Sequence, residues 1–331
     1  MLMNDKNMMR CSSNKPLVVI QCMVYNHEAF LRECFDGFLM QQTTFPYVVF
    51  VHDDFSTDKS IDIILEYKEK YPHLFYLILE KENQYSKPNG VLWKITNNAI
   101  CELGAKYVAV CEGDDYWVDP FKLQKQVDIL EADNTLMAVC TDTSIVDNEG
   151  QILCQKRGGV VKDNIAGRYT LRDFFKYNHQ YPTASIVYRN SNNEELAKKY
   201  LSTINNYLGD WTMWICLHIY GDFYYIDEPM VAYRINPDSV THSNIDERRL
   251  GLAKSNFNII ASIARILPDE YQDIKEDLTK NTAWMWFNLA NAYKYKHKYI
   301  QMVYCLVICC IKDFKFFSDK LMSSFTKILR H

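Results

Sequence analysis

The chain has 331 residues, of which 48% are apolar and 24% are charged, a composition typical of a folded globular protein. A chain of this length can bury a large core, which excludes intrinsic disorder, and 11 Gly and 9 Pro are too few for a fibrous protein. The formal net charge of −4 excludes a chain built as a whole to bind polyanions, so we expect no nucleic-acid partner.

Strand-like apolar runs alternate with helical patterns over the first 140 residues. The helices are predicted over 28–42, after Asp58, over 90–103 and from Pro120, and the strands over 17–24, 47–51, 75–79, 107–111 and 136–140. This alternation predicts an α/β fold with a mostly parallel sheet flanked by helices.

The pattern changes after residue 140. Residues 141–184 are polar and irregular, which predicts a loop over the sheet. A strand over 185–189, a helix over 208–220 and a strand over 223–234 follow, and from about residue 245 the chain is predicted to be helical.

The C-terminal segment from residue 294 carries eight basic residues against two aspartates, among apolar residues such as Val307 and Phe314. It predicts a tail in peripheral contact with an anionic membrane, at the inner face of the cell membrane. The alternative is a helix that packs on its own domain. The apolar run over 299–311 is shorter than the ~20 residues that a spanning helix needs.

The 11 cysteines include no Cys-x-x-Cys pair, and several, such as Cys22, Cys111 and Cys140, lie in apolar runs. They are therefore predicted to be small buried hydrophobic residues of a protein in a reducing compartment. The first sixteen residues lack the apolar core of a signal peptide. The sequence thus predicts a cytoplasmic protein.

Two acidic clusters follow predicted strands, where parallel sheets bind ligands. Glu112, Asp114 and Asp115 are predicted to hold Mn²⁺ or Mg²⁺, since these ions prefer oxygen ligands and commonly bridge carboxylates to phosphates. The alternative is that Asp114 or Asp115 caps the turn before the next helix. No glycine-rich phosphate-binding motif is present, so a metal would have to bind the phosphates.

The second cluster begins with Asp53 and Asp54. One of these carboxylates is predicted to accept a hydrogen bond from a nucleobase N–H or a ribose hydroxyl. The alternative is a local turn, with Asp58 capping the next helix.

Four segments follow one another in the order VVIQCMVYNHEAFLRECFDGFLMQQ, VVFVHDDFSTDKS, YVAVCEGDDYWVDPFKLQKQ and LGDWTMWICLHIYGDFYYIDEPMVAYR. Together they resemble the inverting glycosyltransferases of family 2, which have the Rossmann-like GT-A fold. The resemblance implies an N-terminal tail over 1–15, a GT-A glycosyltransferase domain over 16–243, and a helical region with a basic amphipathic tail over 244–331.

The resemblance implies a metal-dependent, inverting transfer of a sugar from a nucleotide-diphosphate donor to a hydroxyl of a glycan or glycolipid. Bacterial surface-polysaccharide synthesis is its usual setting. The residues expected to bind the donor nucleotide are Tyr25, Asn26, Asp53, Asp54, Lys94 and Asp114. Those expected to bind the metal are Glu112, Asp114, Asp115 and His242. Two of these residues depart from the family's pattern: Glu112 stands where the family has Asp, and Lys94 lies in the region where the family often has an Arg that is missing here.

The resemblance also implies that Asp210 is the general base, although the family's Glu-Asp pair is Gly209-Asp210 here. Burial beside Trp211 and Trp214 is expected to raise the pKa of Asp210. Tyr116, Trp117 and Trp211 are expected to stack on the acceptor or sugar. The alternatives are that Asp210 only caps its helix, and that the chain is a catalytically inactive nucleotide-sugar-binding protein.

Overall fold

A computed structural model describes residues 15–85, 87, 90–177, 179–190, 194–203, 209–235, 246–280 and 282–320. Most of the predicted N-terminal tail and His242, a predicted metal ligand, lie outside these residues.

The strands in the described part of the chain all belong to one sheet. Its strands are β1 (Val18–Val24), β2 (Tyr47–Asp53), β3 (Phe75–Leu79), β4 (Tyr107–Glu112), β5 (Tyr116–Trp117), β6 (Leu136–Val146), β7 (Ile152–Cys154), β8 (Gly167–Tyr169), β9 (Val187–Arg189) and β10 (Asp222–Arg234). The order across the sheet is β3-β2-β1-β4-β9-β6-β10-β5, with β7 paired to β6 and β8 to β10.

The first four strands in sheet order, β3, β2, β1 and β4, are all parallel, as the sequence predicts. Their apolar runs are continuous because helices cover both faces of this half of the sheet. The helices are α1 (Leu31–Leu39), α2 (Ser60–Lys70) and α3 (Val91–Leu103). Alternate residues of β1 show the two layers: Ile20 packs in a cluster with Phe35 of α1, whereas Val19 packs in another with Ile100 of α3.

The second half of the sheet is mixed. Strand β9 lies antiparallel between β4 and β6, while β6 and β10 are parallel to each other. The prediction of a loop over 141–184 is wrong in part, because β6 continues to Val146 and β7 and β8 follow it. The extension of β6 was not predicted because its residues are polar and lack the apolar pattern of a buried strand. Asp142, for example, is fully buried, and accepts hydrogen bonds from the Tyr225 hydroxyl and the Gly158 N–H.

The remaining helices are α4 (Lys122–Ala132), α5 (Leu171–Tyr177), α6 (Glu194–Thr203), α7 (Gly209–His218), α8 (Asp246–Ile266), α9 (Gln272–Lys280), α10 (Ala283–Tyr295) and α11 (Tyr299–Lys312). Ile259 and Ile263 of α8 share a core cluster with Trp214 of α7 and Phe223 of β10, so the helical C-terminal region packs directly on the α/β core. Among the described helices, none combines the length and apolarity needed to cross a membrane.

The first residue of α4, Lys122, is completely buried. Its ammonium group donates a hydrogen bond to Gln126 Oε1 (2.9 Å) and lies 4.2 Å from the ring centroid of Trp117. Gln126 in turn donates to the carbonyl oxygens of Val139 and Ser185, which joins α4 to the sheet. Burial lowers the pKa of Lys122 to about 7, because the charged form loses its hydration.

We predict that this lysine makes stability depend on pH. Below pH 7 the buried ammonium is charged and destabilises the fold. Between pH 7 and the pKa of this lysine in the unfolded chain, about 10.4, the unfolded state binds one more proton than the native state. The free energy of unfolding therefore rises with pH over this range, by up to about 4 kcal/mol. Lys122→Met should lack this rise when both proteins are unfolded by urea at pH 6, 7, 8 and 9. Parallel pH profiles for the two proteins would contradict the prediction.

Candidate functional site

The acidic loop, residues Glu112–Asp115, joins β4 to β5. The Asp115 N–H donates to the carbonyl oxygen of Glu112 (3.2 Å) and closes the turn. Gly113 is needed here, because a Cβ at this residue would lie 2.7 Å from His27 Nδ1 and 2.9 Å from Leu31 Cδ2. The loop therefore lies directly against the β1–α1 connection.

Arg234, at the end of β10, is buried and holds the acidic loop in place. Its backbone N–H donates to Asp115 Oδ1 (2.8 Å), and its side-chain Nε donates to the carbonyl oxygen of Asp114 (2.9 Å). Its other guanidinium nitrogens donate to the Asp147 carbonyl oxygen (2.7 Å) and to Glu33 Oε2 (2.6 Å). Sequence analysis missed this role, which depends on a contact between distant segments.

Asp115 is buried and turned toward β10 by this hydrogen bond. Burial raises its pKa well above the usual range, with further contributions from the charges of Asp114 and Glu112, while Arg234 opposes the shift. A buried, hydrogen-bonded carboxylate of this kind supports the loop. The side chains of Glu112 and Asp114 are only half-buried and remain partly accessible to a ligand.

The carboxylates of Glu112, Asp114 and Asp210 interact electrostatically. Burial raises the pKa of Glu112 to about 8, and the negative charges of Asp114 and Asp210 add to the shift. Hydrogen bonds connect the same elements: Thr183 donates to Asp210 of α7, and the next residue, Ala184, accepts from Trp117, two residues after the acidic loop. Within the described residues, no hydrogen bond or ion pair joins the side chain of Glu112 or Asp114 to a basic group. Negative charge gathered in this way is stabilised by a cation.

The donor set fits a divalent cation that is shared with a ligand. Two half-buried carboxylates, Glu112 and Asp114, offer the hard oxygen atoms that Mg²⁺ and Mn²⁺ prefer. In the described part of the chain, however, no three His, Cys, Asp or Glu side chains are grouped so as to hold a metal by themselves. The remaining ligands would have to come from a diphosphate, from water or from residues such as His242.

Asp210 lies in the first turn of α7, where the helix dipole stabilises a negative charge. The expectation that it is buried beside Trp211 and Trp214 is wrong, because the side chain of Asp210 is exposed. Its Oδ2 accepts a hydrogen bond from Thr183 Oγ1 (3.2 Å), a partner that sequence analysis missed. An exposed carboxylate held in one orientation is accessible to a hydroxyl group from solution.

Asp53 and Asp54 end β2 and begin the next loop, and both are buried. Asp53 accepts hydrogen bonds from the N–H and hydroxyl groups of Ser56, which is the local turn considered as an alternative. Asp54 accepts from Asn83 Nδ2 (2.8 Å) and from the Gln84 N–H (2.6 Å). These bonds show that both residues shape the loops beyond β2 and β3.

The connection after β1 carries Tyr25 and Asn26, both exposed. Asn26 has a positive φ of 56°, a conformation that Asn tolerates better than most residues. Its Oδ1 accepts a hydrogen bond from the Thr57 N–H (2.7 Å). Asn26 thereby links the loops that follow β1 and β2, while the ring of Tyr25 stays open to a ligand. Asp58 accepts from the Ser60 N–H (2.9 Å), the first N–H of α2, but the N-cap position of this helix is Lys59 and not the predicted Asp58.

The structure changes the interpretation of one predicted stacking residue. Trp117 is 1% exposed, its Nε1 donates to the carbonyl oxygen of Ala184 (3.1 Å), and its ring packs against Phe38 and Lys122. Contrary to the prediction, it cannot offer a ring face to a sugar in this conformation.

The other two predicted stacking residues are half-buried. Tyr116 lies beneath the guanidinium of Arg234 (5.6 Å to the ring centroid), and Trp211 packs beside Phe174. Lys94 is exposed in the first turn of α3, and no contact among the described residues joins it to the acidic loop.

Arg157 is a basic residue near the site that sequence analysis missed, because it lies in the predicted loop. Its guanidinium lies 5.7 Å from the ring centroid of Tyr233. Burial, followed by the charges of Asp115 and Glu112, raises the pKa of Tyr233 to about 12, and Arg157 opposes this shift. Arg157 therefore places a positive charge beside Tyr233, whose side chain interacts electrostatically with Asp115 and Glu112 of the acidic loop.

Comparison with known proteins identifies the family. The model for glycosyl transferase family 2 matches residues 20–193, which is more than half of the chain. An uncharacterized protein of Mycobacterium tuberculosis is 32% identical over 231 residues, and this match covers 68% of the chain and 60% of the relative. The chain thus spans about 60% of that relative's length.

Two further matches extend over most of the chain. The dTDP-rhamnosyl transferase RfbG of Shigella flexneri is 22% identical, over 88% of this chain and 99% of that protein. The mannosyltransferase PcManGT of Pyrobaculum calidifontis, solved in complex with GDP-Man and Mn²⁺, is 17% identical with a TM-score of 0.54, over 96% and 81% of the two chains. The structural likeness agrees with the GT-A fold, and the family match is decisive: this chain belongs to glycosyltransferase family 2.

Proposed function

We propose that this chain is a metal-dependent, inverting glycosyltransferase that moves a sugar from a nucleotide-diphosphate donor to a hydroxyl of a glycan or glycolipid. The observation that carries the proposal is that two half-buried carboxylates, Glu112 and Asp114, lie at the end of β4 near the exposed carboxylate of Asp210, which is tied to this region through Thr183 and its neighbour Ala184. A site of this kind combines two functions that the reaction needs, a cation site for a diphosphate and an accessible base for an acceptor.

On the donor side, Glu112 and Asp114 would hold Mn²⁺ or Mg²⁺, and Asp115 would support them through its bond to Arg234. When bound, the metal would stabilise the negative charge on the departing diphosphate. The names of the relatives support this donor class, since one is a dTDP-rhamnosyl transferase and another was solved with GDP-Man and Mn²⁺.

The nucleoside would bind beyond the ends of β1 and β2, which is where ligands bind in sheets of this type. Tyr25 offers an exposed ring for stacking, while Asn26, Asp53 and Asp54 order the loops around the nucleoside through their hydrogen bonds. For the diphosphate, the structure suggests Arg157 as a cationic partner in addition to the predicted Lys94.

On the acceptor side, Asp210 would remove the proton from the attacking hydroxyl. The hydroxyl oxygen then forms a bond to the anomeric carbon while the bond from that carbon to the diphosphate oxygen breaks. The proton goes to Asp210 and the electron pair to the nucleoside diphosphate. One displacement with one base inverts the anomeric centre. Thr183 would orient Asp210, and Trp211 and Tyr116 would contact the acceptor or the sugar.

We further propose that the reaction takes place in the cytoplasm, in the synthesis of a bacterial surface polysaccharide. The second candidate is a nucleotide-sugar-binding protein without catalytic activity. Gly209, which replaces the first acidic residue of the family's pair, keeps this candidate open. The two candidates differ in what Asp210 does, which is tested directly below.

The metal assignment predicts that Glu112→Gln and Asp114→Asn weaken donor binding at least tenfold in the presence of Mn²⁺, since each removes one anionic ligand (about 1.4 kcal/mol or more). The measurement is calorimetric titration with UDP, GDP and dTDP, with and without Mn²⁺. The control is Asp62→Asn, which changes an exposed aspartate in the first turn of α2. Equal affinities with and without Mn²⁺ for the wild-type chain would contradict metal dependence.

The base assignment predicts that Asp210→Asn lowers the transfer rate by about 10²- to 10⁴-fold, because a general base typically contributes that much. Donor affinity should remain within a few-fold of the wild type, since the base acts on the acceptor. Rates are measured by release of the nucleoside diphosphate, again with Asp62→Asn as the control. Full activity in Asp210→Asn would refute the assignment. Donor binding without transfer or hydrolysis in the wild type would favour the binding protein.

A further inference from the structure

Helix α11 is apolar on two opposite faces. One face carries Cys305 and Cys309, which are buried, and Leu306 and Met302 pack in the cluster that α11 shares with α8 and α10. The opposite face is formed by large apolar residues, of which Ile300 is 85% exposed and Ile311 is 77% exposed. We name this face the α11 stripe, and it consists of Ile300, Val303, Tyr304, Val307 and Ile311.

The stripe is continuous along the helix. Its residues are spaced by three, one, three and four positions, so they lie on one side of an α-helix. A helix on the surface of a globular protein normally turns charged and polar residues outward at such positions. A contiguous exposed apolar face therefore indicates a surface that contacts something else.

Positive charge lies at both ends of the stripe. Lys298 precedes α11, Lys312 ends it and Lys315 follows shortly after, and all three are exposed. Asp313 is the one acidic residue between 296 and 318. A second copy of the chain packed along the stripe would bring lysines of one helix end close to lysines of the other, in either relative direction. Self-association is therefore disfavoured, whereas an anionic surface complements the stripe and its lysines together.

We propose that the α11 stripe lies in the surface of an anionic lipid membrane, with its apolar side chains among the acyl chains and its lysines at the headgroups. The helix has 14 residues and is about 21 Å long, so it lies along the membrane instead of crossing it. The sequence predicted membrane contact for the basic C-terminal tail as a whole, part of which, residues 321–331, lies outside the described residues. The structure locates the contact in α11.

The test is co-sedimentation of the full chain with vesicles of phosphatidylcholine, with and without phosphatidylglycerol, and with no sugar donor present. The variant is Val307→Asp/Ile311→Asp, which places two charges in the stripe. The matched control is Leu153→Asp/Ile165→Asp, which makes the same chemical change at two exposed apolar residues elsewhere on the surface. Circular dichroism checks that all three proteins are folded, and light scattering gives their masses.

The wild type and the control should bind vesicles that contain phosphatidylglycerol, and binding should weaken as salt rises. The stripe variant should bind at least about tenfold more weakly, since two apolar side chains no longer enter the membrane. Absence of binding by the wild type, equal binding by the stripe variant, or a dimer that only the stripe variant loses would each overturn the proposal. These outcomes do not depend on sugar transfer, so the proposal and the catalytic one can fail separately.

Discussion

The buried guanidinium of Arg234 is the interaction on which the arrangement of the site depends. It joins the end of β10 to the acidic loop, to the turn at Asp147 and to Glu33 of α1. A guanidinium can make these contacts together because its donors form a rigid, planar set that stays charged. The acidic loop is thus held between the two halves of the sheet, and its position is set by elements that are far apart in sequence.

The contacts of Arg234 neutralise the negative charges of the acidic loop unequally. Asp115 accepts a hydrogen bond from the backbone N–H of Arg234, whereas the side chains of Glu112 and Asp114 form no hydrogen bond or ion pair with a basic group among the described residues. Asp210 adds a third negative charge from a separate helix. The fold tolerates this repulsion, which is typical of sites that bind cationic or metal-bound ligands. These negative charges would favour the binding of a metal–diphosphate complex.

Much of the first half of the sheet was predictable from sequence, because β1, β2 and β4 are buried on both faces and their apolar runs are continuous. The end of β6 was not predictable in this way, since Asp142 and its neighbours are polar yet buried among hydrogen-bond partners. The resemblance directed attention to Glu112, Asp114 and Asp210; in the structure, Glu112 and Asp114 lie at the end of β4, and Asp210 is exposed in the first turn of α7.

The supporting residues Arg234 and Thr183 could not be identified from sequence, because they act through contacts that only the tertiary structure creates. Trp117 shows the opposite error. Its place next to the acidic loop in sequence suggested a sugar platform, but the alternation of side chains along β5 turns it into the core.

The central claim is that Glu112 and Asp114 hold a divalent cation together with the donor's diphosphate. Anomalous diffraction at the manganese edge, from crystals grown with Mn²⁺ and a nucleoside diphosphate, measures this directly. The predicted result is a manganese peak within coordination distance of the Asp114 carboxylate and of the diphosphate oxygens. A nucleotide bound in the crystal with its manganese elsewhere, or with none beside Asp114, would contradict it.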